Sequence, residues 1–442
     1  MSLPEESPSQ RQPLEGLGRA GSGPADSAAV PAVELRTAAD PWRERIFRKM
    51  IRAPEALSAG SWVRLVSRTG DFLAFGHLNL NSQIAVRPLS ADPAFHPADP
   101  GALMAFYAAR LAEARRFREH TLGLNPAGGY RLIHGEADRL GGLSVDVFGA
   151  AIGVEIYTAG MAADRAAIGA ALAAEYRGAR VAFMANQRAA RLEGFRIEPT
   201  VQAAAEGTPS LEAGSGGAAE IVEHGLRFEV AVGRGHKTGF FLDQRDNRAR
   251  IAALAAGRRV LDLCCYTGGF ALHAWQGGAA RVRAVDLDEA AVAQARRNAA
   301  LNGNAAAAVE FIHADAFEVL RAAGALASDA APDLIVLDPP KLAEDRHELE
   351  SAARKYRDLM RLALAALAPD GILLTCSCSG PVSETMFLEY LQAAAAGANC
   401  SAAIFQIAGA APDHPIGLHH LEGRYLKAVY CRKSASFTPA AR

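Results

Sequence analysis

The sequence predicts an α/β protein: a mostly parallel, doubly wound sheet with an antiparallel last strand, preceded by a small β-rich domain and a central α+β domain. Three observations lead there. Beyond residue 259 short apolar runs alternate with helical patterns, the βαβ repetition that builds a parallel sheet. Successive runs end at Gly268, Asp286, Asp315 and Asp338, followed later by Cys378, so polar residues collect at the strands' carboxyl ends, where such sheets form their sites. Between 40 and about 89, short β-prone runs are divided by turn residues.

The 442 residues are enough for two or three domains, and 50% hydrophobic with 21% charged residues leaves ample core. A net charge of −1 argues against a uniformly basic nucleic-acid binder but not against local basic patches. No run approaches the ~18 strongly apolar residues that span a bilayer, so no membrane partner is expected. The six cysteines lack paired zinc-ligand spacing; free thiols, no metal and a reducing cytoplasm are the expectation.

Residues 1–39 are rich in Ser, Pro, Gly and Ala without an apolar stretch, which predicts a disordered tail rather than a signal peptide. Residues 40–90 form the β-rich domain, with runs at Ser61 to Val66, Phe72 to Leu78 and Gln83 to Arg87. Arg43, Arg45, Arg48, Lys49 and Arg52 precede it, and Arg110, Arg115, Arg116 and Arg118 follow on a predicted helix; each group is a solvated face or a phosphate contact. Residues 100–199 mix helices and strands. Residues 200–219, centred on Gly214 to Gly217, read as a linker or surface insertion. A strand pair then opens the last domain, 220–442.

Within that domain Val260, Leu261 and Leu263 mark a buried strand, Gly268 and Gly269 a tight turn, and Phe270 to Gln276 a helix whose free N–H groups face the crevice. The turn is a ligand cradle or merely a turn. The next strand, Val282 to Val285, ends at Asp286, where an acid can meet a ribose diol, so the set suggests an adenosine-bearing ligand. Asp288 caps a helix through Ala300. Strands then end at Asp315 and at Asp338-Pro339-Pro340, where two prolines force a rigid exit that holds the Asp338 carboxylate at the pocket edge or is only a stiff turn. After a long helix, Ile372 to Thr375 leads to Cys376 and Cys378. Strands near Ala403 to Ile407 and Tyr425 to Tyr430, with no helix between them, should pair antiparallel.

If the reaction is methylation of a pyrimidine carbon, a cysteine has a defined task. A thiolate added at carbon 6 of cytosine makes carbon 5 an enamine carbon able to take a methyl group. Cys378 is the candidate and Cys376, two residues earlier on the same strand face, its rival; either could equally be a small buried hydrophobe.

Thr238 to Arg248 (TGFFLDQRDNR), Tyr266 to Phe270 (YTGGF), Asp338 to Lys341 (DPPK), Ser377 to Gly380 (SCSG), Asp413 to Pro415 (DHP) and the EGxYLK pattern of Glu422 to Lys427 together resemble the class I S-adenosylmethionine-dependent large-subunit ribosomal RNA cytosine-C5 methyltransferases. The resemblance implies a PUA-type RNA-binding domain, a central domain and a Rossmann-like methyltransferase domain. It implies S-adenosylmethionine as methyl donor, large-subunit ribosomal RNA as partner, and a cytoplasmic protein, with a homodimer compatible. By motif position Cys378 matches the nucleophile and Asp338 the acid at the substrate's edge. Asp286 would hold the donor's ribose, Asp315 its adenine amine, and Tyr266, Thr267, Gly268, Gly269 and Phe270 its methionine end, with Gln244 as a further cofactor contact. Lys341 stands where a second cysteine would sit in the other class of RNA cytosine methyltransferases, so a one-cysteine scheme is implied. Two other functions are compatible with the fold: a guanine-N7 methyltransferase, which needs no cysteine, and a noncatalytic ribosome-assembly factor. They separate on loss of activity in Cys378→Ala and on S-adenosylmethionine binding.

Overall fold

The computed structural model describes residues 30–43, 45–54, 56–198, 200–202, 218–233, 239–325 and 330–434. The tail before residue 30, the Gly214–Gly217 tract and the beginning of the TGFFLDQRDNR motif at Thr238 lie outside them.

The first sheet has six strands in the order Ile46–Phe47, Ile84–Ser90, Phe72–Leu78, Ser61–Val66, Ala32–Leu35 and Ile51–Arg52. The expected tail therefore ends earlier than residue 39. Val33 and Leu35 point into the core of this domain, and Ala32–Leu35 pairs in parallel with Ser61–Val66. The second sheet has five strands, Thr200–Gln202, Arg180–Ala185, Ala151–Ile156, Leu143–Phe148 and Tyr130–His134, with Pro100–Arg116 and Arg165–Glu175 as its long helices. Thr200–Gln202 pairs antiparallel with Arg180–Ala185, so the predicted linker begins inside this sheet. It also ends inside a hairpin, Ala218–Glu223 with Leu226–Ala231.

The C-terminal sheet has seven strands: β1 (Arg259–Leu263), β2 (Arg281–Asp286), β3 (Val309–His313), β4 (Leu334–Leu337), β5 (Ile372–Ser377), β6 (Ala402–Ala408) and β7 (Lys427–Lys433). Their order is β3-β2-β1-β4-β5-β7-β6. The first five are parallel, and β7 runs antiparallel between β5 and β6, as the missing helix between the last two runs required. Helices α1 (Arg245–Leu254), α2 (Gly269–Gln276), α3 (Glu289–Ala300), α4 (Ala316–Ala323), α5 (Leu349–Ala366) and α6 (Glu384–Gly397) cover both faces. Strand alternation divides the apolar side chains between them. Val260, Val282, Val336 and Leu374 join the core with α1, α2 and α3, while Leu261, Leu263, Ile335 and Leu373 join that with α4, α5 and α6. Each fully buried Leu or Ile contributes ~1.5–3 kcal/mol. Asp288, Asp315 and Ser383 cap α3, α4 and α6 through their side-chain oxygens, worth about 1 kcal/mol apiece.

Buried acids lock the domains together. Asp164 of the central domain accepts from Trp62 and His77 of the first sheet, and Glu193 accepts from Asn79 at 2.7 Å. On the other side Asp413 accepts from both Arg245 and the Arg131 backbone amide, while Arg118 joins the Asp413 carbonyl to Asp138. Arg118 is 0% exposed; Arg115 pairs with Glu119 and Glu175, and Arg110 with Glu113. Three of the four arginines read as a basic helix face are thus held by acids of this chain.

Candidate active site

The chain leaves β1 through a turn built on left-handed residues. Cys264 (φ 60°), Tyr266 (φ 49°) and Gly268 (φ 85°) wind the backbone so that Tyr266 N–H donates to Asp286 Oδ2 at 2.8 Å. Asp286 Oδ1 accepts from Asp288 N–H at 2.9 Å. A Cβ on Gly268 would lie 3.1 Å from Phe311 and 3.2 Å from Ala295; one on Gly269 would lie 2.9 Å from the Arg248 side chain, itself clamped by Glu223 at 2.5 and 2.7 Å. Phe270 is buried, and the Thr267 carbonyl accepts from Asn298. The turn is therefore rigid before any ligand arrives.

Below it, on β1, lies Asp262, which the sequence reading passed over. It is 0% exposed, and neither carboxylate oxygen has a hydrogen-bond partner. Burial first, then the charge of Asp338, pushes its carboxyl up to about 8. The glycine turn with the Asp286 and Asp338 carboxylates on the cleft beside it suits a ligand that carries positive charge, and S-adenosylmethionine bears a sulfonium and an ammonium. Farther along the sheet edge, Asp315 spends Oδ1 on the first turn of α4, accepting from Phe317 and Glu318 N–H. It thus caps the helix and also lines the cleft.

Asp338 leaves β4 half-buried, with Gln244 Nε2 donating to its Oδ2 at 2.9 Å. Gln244 Oε1 in turn accepts from Asn247 at 2.6 Å, and Asn247 from Tyr430 at 2.9 Å. Gln244, expected as a cofactor contact, lines the cleft and is engaged at both ends of its amide with Asp338 and Asn247.

The two cysteines after β5 part company. Strand β5 ends at Ser377, so Cys378 is released from the alternation that would put it beside Cys376. Cys376 is 0% exposed in the core, where burial raises its thiol well above the ordinary range. Cys378 is half-exposed and lines the cleft. The residues on either side of it are bolted down. Ser377 Oγ accepts from Tyr356 at 2.9 Å; Ser379 Oγ accepts from Leu342 and Ala343 N–H, both at 3.1 Å, tying this loop to the DPPK loop. Cys264, unlike the buried Cys265, is partly exposed beside the turn, although burial and the charge of Asp286 raise its thiol.

One cleft of about 1840 Å³ is lined by Gln244, Tyr266, Asp286, Asp315, Asp338 and Cys378 on one side, while Asp262 and Cys376 stay buried behind it. Its volume exceeds the ~300–1,000 Å³ of an ordinary small-molecule pocket, leaving room for a second reactant. The facing wall comes from the other two domains and includes Arg45, Arg87, Arg131 and His134. Burial, with Arg131 and His414 adding to it, holds His134 neutral. Tyr425, from the loop ahead of β7, hydrogen-bonds Asp243 at 2.5 Å and closes the wall near Cys378. Strand Tyr130–His134 supplies Arg131 and His134 to this wall, while its Tyr130, Leu132 and Ile133 are buried in the core of their own domain.

Comparison with known proteins agrees with this geometry. A family model described as S-adenosylmethionine-dependent methyltransferase matches residues 154–410, and one described as a PUA-like domain matches residues 41–91. The ribosomal RNA large subunit methyltransferase I of Aeromonas salmonicida (strain A449) is 35% identical over 393 residues, 89% of this chain and 95% of the relative. That of Escherichia coli O139:H28 is 34% identical over 375 residues, 85% and 91% of the two chains. A methyltransferase solved with S-adenosylhomocysteine superposes with a TM-score of 0.72 at 20% identity, over 92% of this chain and 100% of that one. An S-adenosylmethionine-dependent methyltransferase from Streptococcus mutans gives the same TM-score at 19% identity, over 91% and 100%. At such identities these two bear on the fold. With its glycine turn, its strand-end acids and a PUA-like domain ahead of them, this chain belongs to the S-adenosylmethionine-dependent methyltransferase family that includes the ribosomal RNA large subunit methyltransferase I proteins.

Proposed function

We propose that this chain methylates carbon 5 of a cytosine in large-subunit ribosomal RNA, with Cys378 as nucleophile. The observation that carries the reading is the placement of Cys378: it borders the same cleft as the glycine turn and Asp338, fixed by Ser377 and Ser379, while Cys376 is sealed in the core. The substrate class follows the names of the relatives and the PUA-like domain; Arg45, Arg87 and Arg131 on the far wall are paired with Glu422, Glu193 and Asp146 and so add little free charge for a phosphate backbone. A ribosomal substrate is consistent with a cytoplasmic protein. No helix among the described residues is long and apolar enough to cross a membrane.

S-adenosylmethionine, held by Tyr266 to Phe270, Asp286 and Asp315, supplies an electrophilic methyl group. The chain's own residues must make cytosine a nucleophile. A cytosine is turned out of its stack into the cleft, at a cost of a few kcal/mol. The Cys378 thiolate adds to carbon 6, forming a C–S bond and moving the ring electrons toward carbon 5. Asp338, aimed by Gln244, hydrogen-bonds the ring edge and relieves the charge that develops there. Once carbon 5 is methylated, a base reaching the cleft from solvent takes its proton, the C–H electrons re-form the ring double bond, and the C–S pair leaves with sulfur as the thiolate.

Bisulfite mapping of large-subunit ribosomal RNA from cells with the wild-type chain, Cys378→Ala or Cys376→Ala tests this. The expected result is one protected cytosine lost in Cys378→Ala and kept in Cys376→Ala. Methylation surviving in Cys378→Ala would refute the adduct and favour direct attack by a guanine ring nitrogen.

A further inference from the structure

Lys427 lies on β7 opposite Ser377 of β5 and is 3% exposed. Its Nζ donates to two neutral acceptors, the Ser379 carbonyl at 2.7 Å and the Tyr425 carbonyl at 2.8 Å. Among the described residues no carboxylate lies within salt-bridge distance of it. Glu384, an acid whose charge reaches it, is itself paired with Arg424 at 2.5 Å. A buried ammonium without a counter-charge is costly and tends to lose its proton; burial lowers this one to about 8. The other group whose charge acts on it is the sulfur of Cys378, the residue immediately before the carbonyl it grips. Two carbonyls take two of its three N–H groups.

We propose that Lys427 is the positioning residue of the Cys378 nucleophile: anchored on the Ser379 carbonyl, its ammonium provides the counter-charge that keeps the neighbouring sulfur a thiolate. This rests on the reading of Cys378 as nucleophile and names the group that activates it. The groups facing Cys378 from the packed elements are Asp338 and Lys341 after β4, Asp243 ahead of α1, Tyr356 on α5, Cys376 on β5 and Tyr425 ahead of β7. Asp338 and Asp243 oppose a thiolate, the two phenols and Cys376 are neutral, and Lys341 is exposed to water. Lys427 adds a buried cation to these described groups. The proton leaving Cys378 goes to solvent, and the ammonium keeps its own below about pH 8.

The test is iodoacetamide alkylation of the full chain, without cofactor or RNA, over roughly pH 5–10, reading the Cys378 peptide by mass spectrometry. In the wild type the alkylation rate should reach half its plateau below the ~8.5 of an ordinary thiol. Lys427→Met should raise that midpoint by about one pH unit or more and slow alkylation at neutral pH about tenfold, while Lys427→Arg restores it. S-adenosylmethionine binding, measured in parallel, reports that each variant is folded. A wild-type midpoint at or above ~8.5 overturns the proposal without any variant. So does a midpoint unmoved in a folded Lys427→Met. Neither outcome changes whether Cys378→Ala abolishes methylation, so the failure of this proposal is distinct from failure of the nucleophile reading.

Discussion

Asp413 offers the sharpest test of how the cleft is held together. Its carboxylate takes four hydrogen bonds: Arg245 at 2.9 and 3.1 Å, the Arg131 amide at 2.8 Å and the His414 ring at 3.1 Å. It is 0% exposed, and Arg245 is only 7% exposed. Asp413→Ala removes all four and leaves Arg245 with the Gly129 carbonyl at 2.9 Å and a distant Glu223. Removing one partner of such a pair costs ~3–5 kcal/mol, mostly for the stranded charge. Denaturant unfolding at neutral pH should show that loss, and the double variant Arg245→Met with Asp413→Leu should recover much of it, because no charge is then stranded. A loss below ~1 kcal/mol, or a double variant no better than the single, would refute the assignment of Asp413 as the central bolt. The pH dependence has a definite sign. Burial alone would raise the Asp413 carboxyl, but His414 and Arg245 outweigh it and hold the group well below the usual range. Its stabilisation is therefore complete above the unfolded value of ~3.9 and is lost as the pH falls below it.

Two further outcomes follow from the turn. Gly268→Ala places a side chain on a residue with φ 85° and within 3.1 Å of Phe311; the strain of ~1–2 kcal/mol should weaken S-adenosylmethionine binding about tenfold by calorimetry, with the circular dichroism unchanged. Asp262, pushed up to about 8, keeps a proton that the unfolded chain has released above ~3.9. Stability of the cofactor-free chain should therefore fall as pH rises through that window, and the slope should be smaller in Asp262→Asn; parallel curves for the two proteins would contradict it.

The C-terminal sheet was legible because each strand carries its own stop. Gly268, Asp286, Asp315 and Asp338 end apolar runs, and Asp288 and Asp315 cap the helices that follow. Local chemistry wrote those elements. What escaped was decided at a distance. Val33 and Leu35 alternate in a stretch whose composition reads as a tail, and only the parallel neighbour Ser61–Val66 makes it a strand. Arg118 looked like a surface cation because Asp138 and Asp413, its partners, lie far along the chain. Cys376 and Cys378 separate because β5 ends one residue before the second, a boundary finer than periodicity can set. Asp262 passed unnoticed as one acid inside an apolar strand, with no sign that its oxygens would find no partner.

The two seams sealed by Asp164, Glu193 and Asp413 bear on what the protein can accept. Jaws swing where a joint opens at little cost, and parting any of these buried acids from its donors costs several kcal/mol. The gap between the walls is thus set when the chain folds, and the guest must do the bending. A nucleotide in a loop, or in a strand not yet clamped into its finished helix, can meet that requirement; one locked in a completed duplex has to be pulled free first.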